Sequence, residues 1–306
     1  MSKPPSIPAT IQLCTYNRAA LLERVLDACF EQNCDPESYE VVLVNDGSTD
    51  GTEAVIEQAK MRATCAFTVI TQANAGLARG RNVGIEAARG ERIIFIDDDV
   101  LPLPTFVGEH LLSHREHRNN IVRGGAINVE SFDDLPPPLW SFKNYSGNYF
   151  WTTNVSVPIR TIRAIGGFNE SFSEYGWEDI DVGLRLRFGG VKATFNPKAL
   201  AYHYKPTLRG RDVEKAVRQA QAQARTAIML AQLHPHWRTY LATGNNPLQR
   251  AYHALLRRRE SVSKSQEVLA SRESEKVLTR RQLRAVHQLV RDAYFRELEA
   301  TLALTR

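Results

Sequence analysis

The chain of 306 residues has no uninterrupted apolar run near the roughly 20 residues that a membrane-spanning helix needs, so no spanning segment is expected. Its first ten residues, MSKPPSIPAT, hold no apolar stretch of the secretion-signal kind, and no cleaved leader is expected. Cysteine is scarce: Cys14, Cys29, Cys34 and Cys65 form neither a C-x-x-C pair nor a dense framework. That excludes a disulfide-built scaffold, argues against structural zinc and favours a reducing compartment, with four buried free thiols. The common nucleotide fingerprints are missing too. Gly76, Gly80 and Gly84 recur every four residues rather than as G-x-G-x-x-G, and there is no G-x-x-x-x-G-K-[ST], which counts against dehydrogenases and P-loop enzymes. The last hundred residues lack a period of roughly 20–50 residues, so they are no repeat array. What remains is 43% hydrophobic and 24% charged, the balance of a soluble globular chain, which excludes disordered and collagen-like classes.

The net charge of +5 conceals an asymmetry. Residues 1–206 carry 20 Lys and Arg against 25 Asp and Glu, whereas residues 207–306 carry 19 against 9. An acidic body therefore bears a basic tail. Such a tail suits an anionic surface of lipid headgroups or nucleic acid, docking on the acidic body, or plain solvation.

The first hundred residues alternate strand and helix patterns. Strands are expected at residues 10–15, 40–44, 67–71 and 92–96, and helices at 18–33, from the turn at Asn45–Gly51 through Arg62, and at 77–89. Near-continuous apolar strands between amphipathic helices imply an α/β fold with a mostly parallel sheet covered on both faces, where ligands bind at the carboxyl ends of the strands. Further strands are expected at 121–129, 150–157, 191–195 and 199–204, with a short helix from Trp177 to Gly189. Pro136, Pro137 and Pro138 keep 130–148 irregular. From about Gly210 the chain is helical, broken near His234-Pro235 and Gly244-Asn245-Asn246-Pro247. Ile228, Leu230 and Leu233, with alanines at 216, 220, 224, 227 and 231, make an apolar stripe that needs a partner, either the body or a second subunit, with Arg257, Arg258 and Arg259 at the surface.

Three places could carry chemistry. An apolar strand runs into Asp97-Asp98-Asp99, and if the chain stays extended Asp97 and Asp99 share one side with Asp98 opposite. Adjacent carboxylates suit Mg²⁺ or Mn²⁺ held together with substrate phosphates, or else a solvated turn. Glu178-Asp179-x-Asp181 follows Trp177; residues two apart on a helix diverge by about 200°, so one of Asp179 and Asp181 faces a pocket as a general base and the other is structural. His203 alternates with Tyr202 and Tyr204 and becomes a ligand only if its strand points at the acids.

Taken in order, these segments resemble the inverting nucleotide-sugar glycosyltransferases of family 2, which have the GT-A fold. The pieces are Thr15-Tyr16-Asn17-Arg18, Val44 to Asp50, Asn74 to Asn82, Asp97-Asp98-Asp99, and Gly166 to Glu170 followed by Gly176 to Asp181, over residues 7–206. The resemblance implies a Rossmann-like GT-A catalytic domain at 1–206, with a nucleotide-sugar half (about 1–100) and an acceptor half (about 101–206), followed by a basic helical extension at 207–306. Thr15, Tyr16, Asn17, Arg18, Asp46, Asn74, Gly76, Arg81, Asp97 and Asp98 would serve the nucleotide, Asp99 and His203 the metal, Mn²⁺ or Mg²⁺, and Asp179 with Glu178 the catalysis. Thr152, Thr153 and Asn154 would shape the sugar and acceptor side. Asn45 departs from relatives that carry an acid there. The implied partners are a nucleotide-sugar donor, a UDP-sugar first, and a glycan, glycolipid or small-molecule hydroxyl, as in polysaccharide biosynthesis. Peripheral membrane contact and a homodimer are open, and no nucleic acid is expected. The implied location is the cytoplasm or the inner face of its membrane. The rival readings are a polyprenyl-phosphate sugar synthase on the same fold and a non-catalytic nucleotide-sugar or nucleic-acid binding protein.

Overall fold

A computed structural model describes residues 7–259, 262–270 and 274–304. They form two compact units, the first made of residues up to 173 and 178–206, the second of 174–177 and the residues from 207 onward.

The first unit alternates β1 (Ala9–Thr15), α1 (Ala19–Phe30), β2 (Tyr39–Asn45), α2 (Thr52–Arg62), β3 (Ala66–Thr71), α3 (Leu77–Ala87) and β4 (Arg92–Phe95). It continues with β5 (Val100–Pro102), α4 (Phe106–Glu116), β6 (Ile121–Val129), β7 (Val155–Pro158), α5 (Ile159–Ala164), α6 (Glu178–Phe188) and β8 (Ala193–Tyr204). All eight strands join one sheet in the order β3-β2-β1-β4-β7-β6-β8-β5. Strands β1 to β4 pair in parallel, as does β6 with β8, while β7 lies antiparallel to β4 and β6, and β5 antiparallel to β8. The sheet is thus mixed, with four of its seven neighbour pairings parallel as the sequence leads one to expect and the antiparallel ones confined to β5 and β7. The chain steps outward from β1 to β3 and returns to place β4 on the other side of β1, which opens a crevice at the carboxyl ends of β1 and β4. Residues 16–18 and 97–99 follow those two strands.

Both sheet faces are covered. Along β4, Ile94 belongs to the core under α1, α2 and α4, whereas Ile93 and Phe95 belong to the core under α3, α5 and α6. This is the side-chain alternation of a strand buried on both faces. All four cysteines are free, and of them only Cys29 is fully buried.

The second half departs from expectation in places. The strand expected at 150–157 forms only from Val155, as β7 to Pro158, because residues 151–154 turn to make side-chain hydrogen bonds. The two strands expected at 191–204 are one, β8, whose register against β6 slips between Arg123 and Gly125. At that slip a Cβ on Gly124 would collide with the Ala199 carbonyl and the Asn154 amide. Strand β5 and helices α4 and α5 are additions.

The second unit is helical: α7 (Val213–Leu233), α8 (Trp237–Ala242), α9 (Pro247–Arg259), α10 (Val262–Ala270) and α11 (Arg280–Leu304), with breaks where the sequence places them. Ala224, Ala227 and Ile228 of α7 pack with Tyr294, Phe295 and Leu298 of α11, and Val213 packs with Leu269, Leu278, Ala285 and Val286. The stripe on α7 therefore finds its partner within its own unit and does not itself call for a second subunit. Leu233, at the end of α7, stays exposed. The side chains of Arg257, Arg258 and Arg259 lie outside the described ones.

Gly124→Ala is expected to destabilise the protein by about 1–3 kcal/mol through overpacking. A denaturation midpoint equal to wild type would contradict the close approach at the β6–β8 slip.

Candidate active site

The first loops at the carboxyl edge brace one another. Asn17, in the left-handed region at φ 54°, donates its amide to Ser48 Oγ (3.0 Å) and accepts the Thr49 amide on Oδ1 (2.8 Å). The Arg18 amide reaches Thr52 Oγ1 at 3.3 Å, and Asn45 Oδ1 accepts the Ser48 amide at 3.1 Å. Tyr16 is left half exposed. Asp46 is buried and its carboxylate is spent on the loop after β3. Oδ1 accepts from Gln72 Nε2 (2.6 Å) and the Ala75 amide (3.0 Å), and Oδ2 accepts from the Gly76 amide (2.9 Å). Asn74 Nδ2 donates to the Asp46 carbonyl at 3.1 Å. Gly47 sits under this loop at φ 78°, where a Cβ would stand 2.7 Å from the Asn74 amide nitrogen, so no larger residue fits.

Arg81, expected along the nucleoside, is 4% exposed. Its Nη1 donates to Glu178 Oε1 (3.0 Å), and its Nη2 donates to Asp97 Oδ1 (3.1 Å) and Thr152 Oγ1 (2.7 Å). The guanidinium also lies 5.1 Å from the centre of the Phe168 ring. Asp97 Oδ2 accepts the Thr153 hydroxyl at 2.9 Å. One buried cation thus joins α3, the end of β4, the 151–154 turn and the start of α6.

The three acids do not continue the strand. The Val100 amide donates to the Asp97 carbonyl at 3.1 Å, closing a turn. Asp98 and Asp99 consequently share a neighbour instead of facing apart: Arg18 lies 3.6 Å from Asp98 Oδ1 and 3.5 Å from Asp99 Oδ2. Thr15 Oγ1 donates to Asp98 Oδ2 at 2.9 Å. Burial pushes the Asp98 carboxyl up to about 7, against Arg18 and the Thr15 hydroxyl. Burial, with the Asp97 charge next, also raises Asp99. His203 comes from β8, where it pairs with Val100 of β5, and its Nε2 stands 3.7 Å from Asp99 Oδ1. Its Nδ1 is buried without a hydrogen-bond partner. No group of three or more His, Cys, Asp and Glu side chains arranged to hold a metal occurs among the described residues.

The two aspartates of α6 separate as the helical spacing requires. Asp181 is buried against Arg185, whose Nε and Nη2 reach its Oδ2 at 2.9 and 2.6 Å. Asp179 is half-buried at the helix start, and burial, then the Glu178 charge, pushes its carboxyl up to about 7 against the pull of Arg81. Just before the helix, Trp177 adopts φ 72°, a left-handed backbone that a bulky residue takes at a cost of about 1–3 kcal/mol. Its indole nitrogen donates to the Gln223 carbonyl of α7 at 2.8 Å.

Sequence reasoning missed a buried polar chain behind the 151–154 turn. Asn154 Nδ2 donates to the Gly125 and Ala199 carbonyls, both at 2.9 Å, which leaves Oδ1 to accept from His110 Nε2 at 3.0 Å. Burial pushes His110 down to about 4 and His114 to about 3, so both are neutral. His110 Nδ1 then accepts the Ser156 hydroxyl (2.8 Å), and Ser156 accepts His114 Nε2–H (2.8 Å). The tautomers follow from this network. The only signal in the sequence was two histidines four apart on one helix face.

The sequence pattern described as "Glycosyl transferase family 2" matches residues 10–175, more than half the chain and ending just before Glu178 and Asp179. Validoxylamine A glucosyltransferase of Streptomyces hygroscopicus subsp. limoneus is 29% identical over 216 residues, covering 59% of this chain and 48% of its own length. The putative glycosyltransferase EpsH of Bacillus subtilis (strain 168) is 42% identical over 122 residues, 40% of this chain and 34% of its own. The chain spans about half the length of the validoxylamine A glucosyltransferases it matches. Among solved structures, the mannosyltransferase PcManGT from Pyrobaculum calidifontis, in complex with GDP-Man and Mn²⁺, superposes with a TM-score of 0.61 at 18% identity over 95% of this chain and 86% of that one. S. aureus TarS 1–349 in complex with UDP-GlcNAc gives 0.57 at 16% over 96% and 91%. At these identities the shared property is the fold.

The raised Asp179 carboxyl has a stability consequence. A carboxyl held more weakly as its anion in the folded state than in the unfolded chain favours folding below its unfolded value near 3.8, and that contribution is lost as pH rises to about 7. Asp179→Asn should therefore match wild-type stability near pH 4 and exceed it at pH 8. Equal pH dependence of the two unfolding curves would contradict the burial of this charge.

Proposed function

The chain belongs to glycosyl transferase family 2 and has the GT-A fold, and on that premise we propose that it moves a sugar from a nucleoside-diphosphate donor to an acceptor hydroxyl, with inversion at the anomeric carbon. The observation that carries this reading is the pair at the start of α6: Glu178 is bound to Arg81, while Asp179 beside it is held near 7. A carboxyl with that value is poised to take a proton at neutral pH. Asp179 acts as general base on the acceptor hydroxyl, and the oxygen attacks from the face opposite the diphosphate. One displacement suffices and needs no enzyme nucleophile. The cysteines agree, since burial pushes the Cys14 thiol, beside α3, up to about 12. A polyprenyl-phosphate acceptor needs no strong base, so the raised Asp179 favours a hydroxyl of a glycan, glycolipid or small molecule.

The nucleotide belongs at the crevice between β1 and β4, lined by Thr15 to Arg18, the loop that Asp46 fastens, and Asp97. A UDP-sugar is the first donor to test; GDP-Man and UDP-GlcNAc are named for the solved neighbours. Asp99 and His203 suit Mn²⁺ or Mg²⁺, which bind through one or two protein ligands plus substrate phosphates. Of the three acids, Asp99 has the longest contacts, 3.5 Å to Arg18 and 3.7 Å to His203, and so is the freest to accept a cation. Bound there, the ion would neutralise charge on the leaving diphosphate. Arg18 already offsets part of the negative charge of Asp98 and Asp99. Four unpaired cysteines fit a cytoplasmic location, and peripheral contact of the basic tail with the membrane is part of this reading.

Nucleotide release from a panel of UDP-, GDP- and dTDP-sugars tests the proposal. Activity should require Mn²⁺ or Mg²⁺ and rise with pH through about 7. Asp179→Asn should keep donor affinity near wild type and lose about 10²–10⁴-fold in turnover. Full activity of that variant would remove Asp179 from the mechanism, and equal rates in EDTA and Mn²⁺ would remove the metal.

A further inference from the structure

Helices α8 and α9 carry five exposed large apolar side chains among the described residues. On α9, Leu248, Tyr252 and Leu255 lie at i, i+4 and i+7 and are 84%, 63% and 48% exposed. The opposite side of the same helix holds the buried His253, stacked on Phe295 of α11 with ring centroids 4.3 Å apart. On α8, Trp237 and Leu241 are four residues apart and both exposed, and the Arg238 guanidinium lies 4.5 Å from the centre of the Trp237 ring. A helix packed on a core normally shows the reverse arrangement, polar side out. Exposed apolar rows of this kind mark a surface that meets something.

The charge around these rows says what. From Trp237 to Arg259, the stretch that α8 and α9 span, the sequence contains five arginines and not one aspartate or glutamate. Aromatic rings and leucines on a cationic, acid-free segment match the boundary between anionic headgroups and acyl chains, where Trp and Tyr anchor and Leu inserts. A second copy of the same face would set two such cationic segments against each other, which is repulsive. A nucleic acid would use the charge and the rings but would leave three leucines unserved.

We propose that α8 and α9 form a membrane-docking surface that takes an anionic phospholipid bilayer, the positive charge of the segment matching the headgroups while Trp237, Leu241, Leu248, Tyr252 and Leu255 enter the boundary. This names the surface and lipid charge for the peripheral contact in the functional reading, and it rests on that contact but not on glycosyl transfer. The residues are distant in sequence from all those assigned to catalysis, so donor turnover in detergent-free buffer reports separately on the enzyme.

The test is flotation of the full chain with phosphatidylcholine vesicles, with and without phosphatidylglycerol. Wild type should float only with the anionic vesicles, and raising salt from 0.1 to 1 M should cut binding at least about tenfold as the screening length falls from about 10 to about 3 Å. L248S/Y252S removes apolar groups without changing charge and should lose at least about tenfold in vesicle binding, while circular dichroism and donor hydrolysis stay at wild type. Equal flotation on neutral vesicles, no flotation, or undiminished binding by L248S/Y252S would overturn the proposal. So would a dimer mass in light scattering that the same variant converts to monomer, which gives the face to a second copy. Competition for the vesicles by duplex DNA that L248S/Y252S leaves unchanged would likewise overturn it, reducing the surface to charge alone.

Discussion

The buried guanidinium of Arg81 is the constraint on which the site depends. A cation at 4% exposure is tolerated only when its donors are matched, because the desolvation of an unpaired charge exceeds what one contact returns. Asp97, Glu178, Thr152 and the face of Phe168 supply that match, and they come from four separate stretches of chain. Satisfying Arg81 therefore fixes the end of β4, the 151–154 turn and the start of α6 relative to α3. It also divides the labour among the acids. Asp97 is bound on both oxygens and Glu178 is spent on the cation, which leaves Asp179 to feel burial and its neighbour's charge, and Asp99 to look outward to Arg18 and His203.

Support for this arrangement reaches below the surface. The turn that presents Thr152 and Thr153 ends in Asn154, whose amide is oriented by two carbonyls and by His110. Because His110 and His114 stay neutral across the physiological range, every proton in the His114–Ser156–His110–Asn154 chain has one position. A polar chain with all protons assigned is rigid in a way that an apolar filler is not. Gly124 leaves room for it by lacking a side chain where β6 slips against β8.

The sequence announces the first half of the fold because its strands are buried on both faces and its helices on one, so period and apolar runs agree, as in β2 and α1. Legibility fails where polar groups point inward. Helix α4 buries His110, Ser113 and His114, which blurs its apolar stripe, and residues 151–154 look like strand but turn to serve Arg81 and Asp97. The locations of the candidate loops after β1, β2, β3 and β4 could be read as well, since each follows an apolar strand. Their duties could not. Nothing in the spacing of Asp46 or Arg81 says that one fastens a loop and the other is buried, because both facts depend on partners more than fifteen residues away. The split between Asp179 and Asp181 was readable, since helix geometry alone sends the two apart, and the i, i+4 spacing gives Asp181 rather than Asp179 to Arg185.

In the proposed mechanism one carboxylate, Asp179, does its work in a single displacement. The most direct measurement is the proton NMR spectrum of the sugar at the earliest time after transfer or release from a donor of known anomeric configuration whose second ring hydrogen is axial, read from the coupling between the first two ring hydrogens. The account predicts the inverted anomer as the first species to form. A first-formed product with the donor's configuration retained would require a second displacement and a nucleophile, and would contradict it.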